Sequence, residues 1–108
     1  MSGGPMTMEE ALRVRLLETM GPVAFDVLTP HLERDAVVVV APHLVLVEAA
    51  VAVAQDDTAK VGAWIADGTF RKPSAAERTQ WKDQTGREWL SVIVQPFVLV
   101  QDPPTSTT

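Results

Sequence analysis

Cysteine is absent from the chain. That gap excludes disulfides, thiolate nucleophiles and sulfur-held zinc or iron. Small secreted domains commonly depend on disulfides, so it also points to the cytoplasm. Histidine is scarce. His31 and His43 are the only two, too few and too far apart for a zinc signature such as H-E-x-x-H. Glycine-rich phosphate loops are missing too: Gly3-Gly4 lie at the start, and Gly62, Gly68 and Gly86 stand alone. None of the serines at 2, 74, 91 and 106 sits in a nucleophile-elbow context. Basic residues are outnumbered 9 to 14, giving a net charge of -5, and only Arg71-Lys72 are adjacent. Affinity for nucleic acid comes largely from clustered cations, so no nucleic-acid partner is expected. The N-terminus has no basic region followed by an apolar stretch, so no signal peptide is expected.

What is present is apolar. Hydrophobic residues make up 46% of 108 residues and lie in internal runs. One domain over 7–101 is expected, flanked by polar tails at 1–6 and 102–108. No internal repeat is evident. The longest run, residues 36–54, approaches the length of a membrane span. Pro42, His43 and Glu48 interrupt it and its flanks are acidic, so a buried strand followed by a second element is expected, with no membrane partner.

Thr7 and Glu10 have capping-box spacing before a helix striped by Leu12, Leu16 and Met20, which Gly21-Pro22 ends. A second helix is expected over 23–34, with Pro30 marking a kink or a new start. Ala36 to Ala41, with four consecutive valines, reads as a central strand buried on both faces. The alanines of 44–54 favour a helix and its valines a strand, so both stay open. Asp56-Asp57 precede a short helix with Val61, Trp64 and Ile65 on one side, closed by Gly68. Thr69 to Lys72 suits a short edge strand, and Ser74 and Glu77 form a second capping box. Glu88 to Gln95 and Phe97 to Gln101 are strands parted by Pro96. The expected fold is α+β, a small mixed sheet of three to four strands with helices packed on it.

The run Ala41-Pro42-His43-Leu44-Val45-Leu46-Val47-Glu48 is the first of several separated motifs. Gln55-Asp56-Asp57, Lys60 to Trp64, Trp89 and Pro96 to Gln101 follow it. Together, over about Leu12 to Gln101, they resemble a family of small bacterial proteins known as domain of unknown function 2288. Matching positions are Glu48, Asp56, Asp57, Trp64, Lys72, Trp89 and the closing PFVLVQ. The sequence departs from the pattern at His43 and Val45, where the family tends to be acidic, and at Pro30, in what is usually a helix. The resemblance implies no activity.

Glu48 is the only charge between Asp35 and Asp56. Buried there, its carboxylate would need a donor or a raised pKa, either of which marks a candidate site. With Asp56 and Asp57 it could hold a hard cation or act as an acid and base. Helix capping explains the two aspartates without a ligand, so no metal, cofactor or catalytic residue is assigned. Trp64, Trp81 and Trp89 suit core packing, or a pocket anchored by Lys72 or Arg71. Trp89, Phe97 and Leu99 are candidate interface positions, because a terminal FVLVQ strand would expose an adhesive edge. The sheet also presents more apolar surface than a few short helices readily cover.

The leading expectation is therefore a non-enzymatic module that forms a homodimer or binds another protein. The alternative is a small enzyme or a small-molecule or metal-binding protein, with Glu48, Asp56, Asp57 and Lys72 around one pocket. A regulator docking on a larger enzyme is a third option.

Overall fold

A computed structural model describes residues 7–84 and 86–102. The tails expected at 1–6 and beyond Asp102 lie outside the described residues. Asp102 itself is described, and Arg87 pairs with its carboxylate.

The elements follow as α1 (Met8–Thr19), β1 (Gly21–Ala24), α2 (Phe25–Glu33), β2 (Val37–Val40), α3 (Leu46–Ala54), α4 (Thr58–Ala66), β3 (Phe70–Arg71), α5 (Ala75–Asp83), β4 (Glu88–Val94) and β5 (Phe97–Gln101). The fold is α+β, with a sheet of five strands in the order β1-β4-β5-β2-β3, where three to four were expected. The fifth is β1. Its four residues include Gly21 and Pro22 and carry no alternation to announce a strand. Pairing creates it: Gly21 to Ala24 lie antiparallel to Ser91 through Glu88. Proline is tolerated on an edge strand, where a missing donor does not break a ladder.

Local signals set the helix ends. Thr7 and Ser74 each accept a bond from the backbone N–H three residues on, and Glu10 and Glu77 return it. Both capping boxes are complete. Residues 44–54 resolve into a turn and then α3. Helix α2 runs through Pro30 without a break, so the new helix start expected there as one alternative does not occur. Asp26, whose carbonyl Pro30 leaves without a helical donor, is exposed, so water can serve that carbonyl.

Side chains of the central strands alternate between two cores. On one face Leu90, Val92, Val94, Leu99, Val38 and Val40 meet Leu12 and Leu16 of α1, the buried side of α3, and Val61 and Trp64 of α4. On the other, Val37, Val39, Val98, Val100 and Trp89 meet Leu28 and Leu32 of α2 and Trp81 of α5. The molecule is thus three layers thick. One chain supplies helices to both faces, contrary to the expectation that it had too few.

The second correction concerns the last strand. Far from an adhesive edge, β5 is the middle of the sheet, antiparallel to β4 through a two-residue turn at Gln95-Pro96 and parallel to β2. The real edges are β1, with its proline, and β3, two residues long. Both are poor templates for another strand. Trp89 and Leu99 accordingly lie inside, 2% and 1% exposed; of the three candidate interface residues only Phe97 reaches the surface.

Gln101, at the end of β5, is buried and was not singled out from sequence. Its Nε2 donates to the carbonyls of Ala41 and Leu44 at 2.8 and 2.6 Å, tying the β2–α3 turn to the sheet. Gln101→Leu keeps the volume and removes the donor. It should cost about 1–3 kcal/mol of stability, the penalty for stranding the Leu44 carbonyl and leaving that of Ala41 only its bond from the Leu44 N–H. Urea unfolding of the variant and the parent measures it.

Candidate functional site

Helix α4 packs differently from the others. It has no fully buried residue. Val61 and Trp64 sink partway into the core, with the Trp64 ring centroid 5.1 Å from that of Phe70, while Ile65 stays 61% exposed. Beside α4 lies an apolar groove of about 410 Å3. Val53 of α3, Val61 and Ile65 of α4, and Val38, Phe70 and Phe97 of the sheet line it, with Arg71 and Lys72 at the rim. Phe97 is 37% exposed. The groove exists because the first face must cover β2 and β5 with a helix nine residues long that stops at Gly68. Gly68 takes a left-handed φ of 84° that other residues rarely adopt, and this turns the chain into β3.

The three candidate carboxylates, Glu48, Asp56 and Asp57, do not converge on one site. Glu48, in the first turn of α3, accepts two 2.8 Å bonds from Arg13 of α1 and is half exposed. The Arg13 guanidinium holds its carboxyl below the ordinary 4.5, outweighing the small upward push of desolvation. Asp56 has φ 56° and occupies the left-handed position that closes α3. Its N–H bonds the Val53 carbonyl and that of Asp57 the Ala52 carbonyl, so both residues finish the helix. The Asp57 carboxylate then caps α4 by accepting from the Lys60 N–H. Glu48 and this pair stand at opposite ends of α3, roughly 12 Å apart along its axis. No group of three or more histidine or carboxylate side chains placed to hold a metal occurs among the described residues. Nor is any described helix long and apolar enough to cross a membrane.

A profile of the family described as Protein of unknown function (DUF2288) matches residues 11–102. The chain belongs to that family. A structural relative, PA1075 from Pseudomonas aeruginosa, solved in solution by NMR, is 30% identical, with 98% of each chain covered and a TM-score of 0.74. No curated protein matches the chain.

The positions that carried the likeness to DUF2288 divide by role. Trp64 and Trp89 fill the two opposite cores. Lys72 bonds the Asp35 carbonyl at 2.6 Å and its carboxylate at 2.9 Å, where Asp35, with φ 59°, closes α2 as Asp56 closes α3. Lys72 and Phe97 also meet at the groove. Ile65 and Val53 complete it without having been singled out as site residues. The stripe Val61, Trp64 and Ile65 was the usable signal, since its third member has no cover inside the chain.

Because Arg13 depresses the Glu48 carboxyl, their pairing stabilises the fold above about pH 4.5, the unfolded value, and the benefit disappears as pH falls through the lower folded value. Glu48→Gln should therefore lower Tm by roughly 1–4 °C at pH 7. Variant and parent should converge in strong acid, which thermal scans across pH will read.

Proposed function

We propose that the protein is a non-enzymatic cytoplasmic module that works as a homodimer, with α4 and the apolar groove beside it as the contact. The observation that carries this is the exposed apolar flank of α4. Ile65 is the large anchor. Gly62, three residues earlier on the same side, is exposed, as are Ala59, Ala63 and Ala66 farther round the helix, and open space surrounds the place where a Gly62 Cβ would stand. Small side chains let helices approach to about 8–10 Å. A patch combining a groove with a protruding Ile65 and Phe97 is self-complementary. Across a two-fold axis each copy can seat its own anchors in the other's groove. A typical interface buries about 800 Å2 per partner, so the whole helix flank must take part.

The enzyme alternative needs Glu48, Asp56, Asp57 and Lys72 around one cleft. Against it stand the separate tasks of these residues: an ion pair with Arg13, the closing of one helix and opening of the next, and a clamp on Asp35. The cysteine-free composition supports a reducing compartment.

Sedimentation equilibrium at roughly 10–100 μM, a working range for a moderate dimer, should give twice the chain mass. Ile65→Asp or Phe97→Asp should weaken association about tenfold or more by placing a charge in the contact. Val45→Asp, as exposed as Ile65 but outside the groove, should leave it unchanged. A monomer throughout that range overturns the reading.

A further inference from the structure

On the opposite face lies a second cavity of a different kind. It measures about 260 Å3 and opens beyond the carboxyl ends of β2 and β5, neighbouring parallel strands. The chain leaves β2 for α3 on the first face, while α5 covers the second, and a crevice remains between them.

Its walls are polar and ordered by aromatics. Arg71 comes from β3, Glu77 and Gln80 from α5, Arg87 from the approach to β4, and Asp102 from the end of β5. Trp81 and Trp89 form one side, with ring centroids 4.9 Å apart. The Arg87 guanidinium carbon lies 4.7 Å from the Trp89 centroid and 5.9 Å from that of Trp81. Stacking and a bond to Gln84 Oε1 fix its orientation before any ligand arrives.

One group in the crevice lacks a partner, and one of its arginines holds an exchangeable one. Trp89 lines the cavity and is almost wholly buried, yet its indole Nε1 has no hydrogen-bond partner among the described residues. A buried N–H without an acceptor is uncommon. Beside it, both guanidiniums are engaged by carboxylates from this chain, Arg71 in a two-bond pair with Glu77 and Arg87 by Asp102. The Asp102 side chain is two-thirds exposed, so water screens its pair and another oxyanion can replace it at little cost.

We propose that this crevice binds a small molecule through an oxyanion, carboxylate or phosphate. The anion displaces Asp102 from Arg87, and the Trp89 indole N–H, which solvent does not reach, senses the exchange through the guanidinium stacked on its ring. Arg71, neutralised by its two-bond pair with Glu77, forms the far wall. Asp102 occupies the site in the unliganded protein and competes with the ligand. This site shares Arg71 with the α4 groove and otherwise uses residues outside it.

The test uses the 15N-labelled full chain, whose three tryptophans give three indole N–H signals, assigned by single Trp→Phe changes. Acetate, inorganic phosphate and chloride are titrated at constant ionic strength. Acetate or phosphate should move the Trp89 signal to saturation, with the Trp64 signal fixed and chloride without effect. Whichever anion saturates first identifies the ligand class. Asp102→Asn should tighten binding about two- to fivefold, the worth of an exposed ion pair, and Arg87→Gln should abolish it. If Arg87→Gln unfolds, Arg71→Gln should still weaken binding in a folded protein. Shifts that chloride reproduces, that stay linear throughout, or that Asp102→Asn weakens would overturn the proposal.

Discussion

The fold depends on pairing β5 with β2, because this contact joins the first half of the chain to the last and completes a sheet apolar on both sides. Val37, Val38 and Val39 align with Val98, Leu99 and Val100, and successive side chains alternate between the two cores. A sheet built this way must be covered twice. The chain manages it by sending α1, α3 and α4 to one side and α2 and α5 to the other. Gln101 then fastens the turn after β2 to the end of β5. Cover is complete over most of the sheet and thins beside α4, where nine residues have to shield the β2–β5 end.

Local chemistry was legible wherever the determining residues were neighbours. Both capping boxes, the glycine stop after α4, the four-valine strand and the two strands parted by Pro96 follow from side chains a few positions apart. The rest depends on partners far along the chain. Nothing in Gly21-Pro22-Val23-Ala24 signals a strand until Ser91 and its neighbours lie alongside. The central place of β5 was equally hidden, since a terminal segment and a middle strand can share one pattern of valines. Pro30 misled because an exposed carbonyl tolerates the loss of its donor.

The acidic residues show why chemistry read from composition goes astray. Asp35 and Asp56 take left-handed positions that aspartate tolerates better than most side chains, and Asp57 starts the next helix. All three are punctuation. Glu48 looked isolated because its partner, Arg13, is 35 residues away on another helix. The surfaces left open are of another sort: an apolar flank on one face, and on the other a polar crevice whose arginines were too dispersed in sequence to suggest a group.

That the centre of the sheet is also the last strand in sequence bears on how the protein is made. Gly21 must wait for Ser91, 70 residues later, and Ala41 for Gln101, 60 residues later. Neither long-range pairing can begin before Ser91 and Gln101 respectively have left the ribosome. Until then the valine ribbon Val37–Val40 has only the two residues of β3 to pair with, a period in which chaperone capture or premature self-association competes with folding. Nascent chains stalled anywhere before Phe97 would lack the strand that joins the two halves, leaving them as substrates for quality control.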